Sequence, residues 1–212
     1  MPRILVHRIS RFAATLLMAA LPATVGHATP LQRAEASRVV YDTGIASADA
    51  LLVIAAAKMR RDLGLTRSNR MAEDSEATDA TALDAEEMLE TAREFATGDP
   101  ILEGLIEDIL AEKTKGVVSG PVYNIARIGA GKSDIYRDVP FESAAYAEVY
   151  VEAKDSSDLN LRITDDQGRL VCADTDSSAI AYCGWSPRDA GTFSIEVQNV
   201  SGRTVDYSMI TN

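Results

Sequence analysis

The chain has 212 residues, 25% of them charged, and its 32 acidic residues outnumber its 21 basic ones, which gives a net charge of −11. A chain of this charge repels phosphate backbones and anionic lipids, so neither nucleic acid nor a membrane surface is an expected partner. The sequence holds only two histidines, His7 and His27, and two cysteines, Cys172 and Cys183. Catalysis and metal binding that depend on histidine or cysteine are therefore restricted in this chain.

The first 28 residues have the three parts of a secretory signal. Arg3, Arg8 and Arg11 precede an apolar run at 12–21, and small residues precede Ala28. This run is shorter than the roughly 20 apolar residues that cross a bilayer. We therefore predict an exported protein that is cleaved after Ala28 and released, in the periplasm or alternatively in the medium. A membrane anchor or a buried first helix is the less favoured alternative.

Cleavage after Ala28 changes the inventory of the mature chain. Losing the three arginines of the signal from the 21 basic residues leaves 18 against 32 acidic ones, a net charge of −14. Both histidines leave as well, which excludes Ser-His-Asp, Cys-His and His-metal sites from the mature chain. A cleavage bond nearer to Ala23 or Gly26 would spare His27 only as part of a terminal tail. Ser-Lys chemistry and paired carboxylates stay open.

Residues 29–115 have the composition and periodicity of helices. The patterns predict helices over 31–42, 47–63, 84–96 and 99–113, separated by short Gly and Asp turns and by a polar segment at 66–81 that we expect to be a mobile loop. In the second helix, the predicted apolar stripe runs through Leu51, Leu52 and Met59. We predict a small helical bundle or helical-hairpin segment.

The pattern changes to alternation after a linker at 116–122. Val149 and Val151 face one way while Glu148, Tyr150 and Glu152 face the other, and residues 159–164 and 192–197 repeat this period of two. Turns such as 165–168 separate the segments. We predict about seven strands forming a β-sandwich or jelly-roll-like domain over 123–212, and thus a segregated α+β chain.

Cys172 and Cys183 lie on either side of a predicted turn at 174–179. An even pair in an exported protein indicates a disulfide bond, and we expect adjacent antiparallel strands to bring the two side chains together.

Residues 123–212 also carry five short segments that recur in a known domain. These are an Asp-Leu-x-Leu strand and its turn at 158–168, an aspartate-rich turn at 171–176, Trp-Ser-Pro at 185–187, a Gly-Thr-Phe strand at 190–199 and the terminal strand at 207–212. In these segments the chain resembles the bacterial pre-peptidase C-terminal domain. The resemblance implies a non-catalytic β-sandwich that assists export, substrate binding or stability in secreted enzymes, and that binds calcium in some members. No peptidase precedes it here, since residues 29–115 are too few to form one.

Aspartates in the predicted turns are the candidates for a metal site. Asp155, Asp158, Asp174 and Asp176, with Asp165 and Asp166 nearby, offer the oxygen ligands that calcium prefers. The alternative, which we favour, is that these aspartates cap turns and keep the surface soluble. No other cofactor is expected.

Gly129–Ser133 imitates the end of a phosphate-binding loop. However, Ala126 stands where the motif requires glycine, and the residues that follow predict a strand rather than a helix. We expect no nucleotide site there.

Tyrosines and the one tryptophan are candidates for a ligand-binding surface. Tyr150 lies on the polar face of its strand and is the strongest exposed candidate, with Tyr146 and Tyr182 on neighbouring segments. Trp185 beside the disulfide is more typical of core packing.

The remaining material for catalysis is Lys132–Ser133 and the Glu86–Glu87 pair. Adjacent carboxylates on a helix point about 100° apart, so Glu86 and Glu87 do not form an acid/base pair. We assign no catalytic residue. The sequence favours a non-enzymatic exported binding or accessory protein whose partner is a protein or a glycan. The alternatives are an enzyme with Ser or carboxylate chemistry where helices meet sandwich, and a structural envelope protein without a small ligand.

Overall fold

The computed structural model describes residues 28–73, 75, 78–112 and 121–212. The predicted signal segment, apart from Ala28, and most of the predicted linker lie outside these residues. Within them the chain is α+β and segregated, as predicted, with four helices in the first half and two β-sheets in the second. In the described part of the chain, no helix is long and apolar enough to cross a membrane.

All four predicted helices are present. They are α1 (Pro30–Ser47), α2 (Ala50–Arg61), α3 (Ala85–Phe95) and α4 (Pro100–Ala111). Each begins after a residue whose side chain accepts hydrogen bonds from the free amides of the first turn: Thr29, Asp49, Asp84 and Asp99.

The buried face of α2 differs from the predicted stripe. Leu51 is 55% exposed, whereas Val53, Ile54 and Ala57 pack into the core of the helical bundle together with Met88 of α3. The prediction was wrong because an Ala-rich helix offers several apolar stripes of similar strength, and the neighbouring elements select among them.

The described residues form nine strands, one between α2 and α3 and eight after α4. They are β1 (Thr66–Arg67), β2 (Val122–Ile128), β3 (Ser133–Phe141), β4 (Ala147–Ala153), β5 (Leu159–Asp165), β6 (Leu170–Asp174), β7 (Ile180–Trp185), β8 (Gly191–Asn199) and β9 (Val205–Thr211). They form a five-stranded sheet of order β1-β2-β9-β4-β7 and a four-stranded sheet of order β3-β8-β5-β6. Apart from the short parallel pair β1–β2, all pairings are antiparallel.

The two sheets pack face to face around an apolar core. Leu161, Ile163 and Ile195 of the four-stranded sheet meet Val149 and Val151 of the five-stranded sheet, and all five side chains are fully buried. The alternation of apolar and polar residues that predicted these strands is therefore correct for the inward side.

The disulfide between Cys172 and Cys183 is confirmed, but its place in the fold differs from the expectation. Cys172 lies on β6 and Cys183 on β7, which belong to different sheets, so the bond joins the two layers across the sandwich. The chain passes from one sheet to the other in the intervening turn. Turn residues in the sequence cannot distinguish such a crossover from a hairpin.

The helices cover the outer face of the five-stranded sheet. Leu31 and Ala34 of α1, together with Leu63, pack against Tyr150 of β4 and Ile210 of β9 in a separate apolar cluster. The molecule thus has three layers, with the five-stranded sheet in the middle.

The described residues of the predicted loop 66–81 contact the sandwich. Besides forming β1, the segment supplies Glu73, which pairs with Arg137 of β3 at 2.6 Å, and Asp79, which pairs with Arg127 of β2 at 2.6 Å. The mobility of this segment stays a prediction.

Candidate functional site

A buried ion pair joins α2 to the outer face of the five-stranded sheet. The two terminal guanidinium nitrogens of Arg60, Nη1 and Nη2, donate to the carboxylate of Glu152 on β4, with Nη2 and Oε2 2.9 Å apart, and the two side chains are 6% and 1% exposed. The Tyr150 hydroxyl donates to Glu152 Oε2 at 2.7 Å, and the Ser208 hydroxyl lies 3.4 Å from Oε1. The carboxylate is fully engaged, so it serves to attach the helices rather than to react.

Arg38 makes a second polar connection, from α1 to β4. Its guanidinium donates to the carbonyl oxygens of Ala153 and Asp155, the latter at 2.7 Å, and pairs with Asp42 at 3.0 Å. A buried guanidinium is stable only when its donors are used in this way. These contacts therefore fix the position of α1 along β4.

The opposite outer face, that of the four-stranded sheet, carries a polar groove of about 340 Å³. We call this surface the open face. Alternation along β3, β5 and β8 turns polar side chains outward there, while their neighbours fill the core. The residues lining the groove are Ile135, Arg137, Asp138, Arg162, Thr164, Asp165, Asp166, Gly168, Thr192, Phe193, Ser194 and Glu196.

Several charged residues that line the groove have ion-pair partners in it or beside it. Arg162 lies 3.6 Å from Glu196 on the neighbouring strand, and Arg169 pairs with Asp165 at 2.6 Å across the β5–β6 turn. Although desolvation acts in the other direction, hydrogen bonds from the amides of Arg169 and Gln167 and from the Arg169 guanidinium lower the pKa of Asp165. Asp165 is therefore an ionised acceptor and an unsuitable general acid.

A larger cleft of about 1270 Å³ lies where the helices meet the five-stranded sheet. We call it the interface cleft. Its three glutamates have basic partners: Glu152 pairs with Arg60, Glu86 with Arg61, and Glu112 with Lys58. Asp84, which also lines the cleft, caps α3 by accepting the amide of Glu87 at 2.9 Å. The cleft lies where the helices meet the sandwich, which is the place that the sequence analysis named for the alternative of an enzyme with Ser or carboxylate chemistry.

Among the described residues, two carboxyl groups have a raised pKa, and neither lines the interface cleft or the groove. Burial first, and the nearby Asp174 second, raise the pKa of Glu35 on α1. Burial raises the pKa of Asp134 on β3, although the hydrogen bond from the Tyr207 hydroxyl opposes this. The Tyr207 hydroxyl also bonds that of Tyr136 at 2.6 Å, so Asp134 ends a buried chain of hydroxyl groups.

The four aspartates proposed as calcium ligands differ in their contacts: the carboxylates of Asp155 and Asp174 are engaged locally, whereas Asp158 Oδ1 is buried and has no hydrogen-bond partner among the described residues. Asp155 pairs with Arg203 at 3.2 Å, and Asp174 accepts the amide of Tyr182 at 2.9 Å. Among the described residues, no group of three or more His, Cys, Asp or Glu side chains is placed to hold a metal ion. Calcium binding at Asp155, Asp158, Asp174 and Asp176 stays a prediction.

The aromatic candidates have separate environments. Tyr150 is fully buried beneath the helices, so its prediction as an exposed ligand contact was wrong; its strand is covered on both faces. Trp185 is core, as favoured, with its ring 4.8 Å from that of Phe141 and 5.3 Å from that of Phe193. Tyr146 is 48% exposed and lies against Gly184, where a Cβ would collide with its ring.

The motifs weighed for nucleotide binding and catalysis form no joint site. Gly129–Lys132 form the turn between β2 and β3, and Ser133 begins β3, the strand that the sequence predicted after Lys132. Glu86 and Glu87 lie on the first turn of α3, where Glu86 pairs with Arg61 and Glu87 with Lys154.

Sequence reasoning missed the buried arginines Arg38 and Arg60. One signal was available: Arg60 recurs at helical spacing with the buried Val53 and Ala57, and β4 carries two glutamates on its supposedly solvent-facing side.

No protein-family model matches the chain, and neither does any curated protein. Among solved structures, it is similar to the pre-peptidase C-terminal domain of a collagenase from Bacillus anthracis, at 12% identity and a TM-score of 0.32, over 42% of this chain and 87% of that one. It is also similar to PliG, a periplasmic inhibitor of g-type lysozyme from Aeromonas hydrophila, at 12% identity and a TM-score of 0.31, over 43% of this chain and 84% of that one. A third is the C-terminal CBM6 of the laminarinase LamC from Zobellia galactanivorans, at 14% identity and a TM-score of 0.26, over 40% and 75%.

The first of these structures is a pre-peptidase C-terminal domain, the domain that residues 123–212 resemble in sequence. At such identities and scores, the similarities carry no argument about function.

Proposed function

We propose that the mature chain is a non-enzymatic exported binding or accessory protein that recognises its partner through the open face. One observation carries this proposal: the two outer faces of the sandwich are used differently. The helices cover one face through a buried ion pair, and the other presents a polar groove. Ligand sites are concave, and a small number of convergent polar groups in them fixes the orientation of the ligand.

The lining of the groove favours a polar protein partner over a glycan. Arg137, Arg162 and Glu196 offer planar charged groups, and Thr164 and Thr192 offer hydroxyls. Sugar rings commonly stack on exposed aromatic side chains, whereas the aromatic lining residue here, Phe193, is buried with only 8% exposed. Recognition at this groove therefore depends on hydrogen bonds and charge pairing.

Two observations favour a non-catalytic role for the groove. Histidine leaves with the predicted signal, and Asp165 has a lowered pKa, the opposite of what a general acid near neutral pH requires. The second candidate is an enzyme acting at the interface cleft, which its volume of about 1270 Å³ favours. A structural envelope protein without a small ligand is the third.

Blocking the groove tests the proposal. Thr192→Arg places a long side chain into the groove, and Thr204→Arg adds the same side chain at an exposed position that does not line it. The purified mature protein and both variants are immobilised and exposed to envelope extract, and the retained proteins are identified by mass spectrometry. The same three proteins are tested for binding to a glycan array. We expect one protein partner to be retained by wild type and Thr204→Arg and lost by Thr192→Arg, with unchanged melting temperatures.

Three results would contradict it. Equal retention by both variants would remove the open face from recognition, and binding of a glycan instead of a protein would overturn the assignment of ligand class. Hydrolytic activity that Ser208→Ala abolishes would favour the enzyme at the interface cleft.

A further inference from the structure

The start of α1 lies against a buried carboxylate of the sandwich. Glu148 on β4 is 1% exposed, and its Oε1 accepts hydrogen bonds from the hydroxyls of Thr29 and Tyr182, both at 2.7 Å. Its backbone amide donates to Asn212 Oδ1 at 2.9 Å. The carboxylate is thus fixed in position beside the residue that caps the first helix.

The charge of Glu148 lacks the compensation that its neighbour has. Glu152, two residues along the same strand and equally buried, is paired with Arg60. Across residues 28–73, 78–112 and 121–212, by contrast, Glu148 forms no ion pair with any Lys or Arg side chain within 4 Å. Burial, and then the hydrogen bond to Glu148, raise the pKa of Tyr182, so this hydroxyl stays neutral. A buried carboxylate of this kind is costly unless a positive charge reaches it.

Cleavage after Ala28, as the sequence predicts, creates such a charge. The main-chain nitrogen of Thr29 is three bonds from the hydroxyl oxygen that contacts Glu148, and in the uncleaved chain it is an amide that donates to Gln32 Oε1 at 3.1 Å. Cleavage turns it into an ammonium. A positive charge at the N-terminus of a helix is opposed by the helix dipole, so this ammonium in turn needs a nearby carboxylate.

We propose that Glu148 is the binding site for the mature N-terminal ammonium of Thr29, so that signal cleavage completes the ion pair attaching α1 to the sandwich. The proposal rests on the predicted export of the chain and is independent of recognition at the open face. The competing explanation is that Glu148 only accepts the Thr29 hydroxyl as part of the helix cap.

The acidity of the terminal amine distinguishes the two explanations. The full chain is expressed, the mature protein is purified from the periplasm, and its first residue is read from the intact mass. The pKa of the α-amino group is then followed by NMR in wild type and in Glu148→Gln, which keeps the hydrogen-bond acceptor and removes the charge. An ordinary α-amino group titrates at about 7.7–8.0.

We expect a first residue of Thr29 and an α-amino pKa that is higher in wild type than in Glu148→Gln by about one pH unit or more. Because a raised amine pKa stabilises the protonated form, this stability is present below the ordinary value and is lost as pH rises through the raised one. The melting temperature of wild type should therefore fall above pH 8, and that of Glu148→Gln should not.

Controls keep the proposal falsifiable. If Glu148→Gln does not fold, a chain that begins at Ala28 moves the ammonium by one residue and should show an ordinary α-amino pKa. The variant Thr192→Arg, which blocks the groove, should have the same α-amino pKa as wild type. A different first residue, or an equal amine pKa with and without the Glu148 charge, would overturn the proposal.

Discussion

The two outer faces of the sandwich begin from the same sequence pattern and end in different environments. Strands β4 and β5 both alternate apolar and polar residues, yet every residue of β4 is buried, whereas β5 keeps Arg162 exposed. The difference lies in the helices, which cover the face that contains Glu148 and Glu152. Polar residues in alternation therefore indicate a side of a sheet, and whether that side meets water depends on another part of the chain.

The polar side chains of the two faces also differ in how their charges are neutralised. Glu152 on the covered face is paired with a buried arginine from a helix, whereas Arg162 on the open face is paired with Glu196 from the adjacent strand of the same sheet. Exposed pairs contribute about 0–1 kcal/mol, while removing one member of a buried pair costs several. The covered face should therefore be far more sensitive to charge substitutions.

The largest effect is expected at the buried pair. Arg60→Met leaves Glu152 charged and unpaired beneath the helices, and we expect a loss of about 3–5 kcal/mol in the free energy of unfolding. Urea denaturation followed by circular dichroism measures this loss. The matched substitution Arg93→Met removes an exposed arginine that pairs with Glu107 on the helical surface, and it should cost less than about 1 kcal/mol.

The comparison would fail if the two methionine variants lost similar stability. The double variant Arg60→Met, Glu152→Met tests the reason for the loss. Since it removes both charges, it should recover much of the stability that Arg60→Met loses.

The order of elements follows from the sequence because periodicity and caps are local properties. The proline and capping residue at the start of α4, and the alternation along β5, each predict their element without reference to the rest of the chain. The burial of Tyr150 and Arg60 is different in kind. Both are polar residues in ordinary local contexts, and only the packing of α1 and α2 on β4 makes them interior.

The groove and the position of the disulfide also depend on contacts between segments that are distant in the sequence, which local patterns do not predict. Arg162 and Glu196 are recognisable as outward residues of their strands, but no local signal brings β5 and β8 side by side. The pairing of Cys172 with Cys183 follows from counting cysteines, whereas their positions on different sheets depend on where the chain crosses the sandwich.

A smaller effect is expected from the bond that holds the two layers together. The disulfide ties an edge strand of the open sheet to an edge strand of the covered one, over a sequence separation of 11 residues. Closing a loop of this size contributes about 2–3 kcal/mol by restricting the unfolded chain.

The double variant Cys172→Ala, Cys183→Ala should lose that amount in urea unfolding, and reductant should change the midpoint of wild type only. If the variant matched oxidised wild type, the layers would be held by core packing alone, and the bond would contribute nothing to the attachment of the open sheet.

The smallest expected effect concerns Glu35, where α1 approaches the edge of the sandwich near Asp174. Burial and the charge of Asp174 raise the pKa of Glu35 above its ordinary value of 4.5, so the folded state binds the proton more tightly than the unfolded state. Stability is therefore highest below pH 4.5 as far as this group is concerned, and it is lost as pH rises through the raised pKa. Glu35→Gln should be more stable than wild type at pH 7, by less than about 1 kcal/mol because the group is partly exposed, and equal to it at pH 4. The exposed Glu94→Gln on α3 serves as the control and should follow wild type at both pH values. An advantage of Glu35→Gln that was the same at pH 4 and pH 7 would show that the substitution acts through packing, and the negative charge at this edge would then have no part in how the helices meet the sandwich.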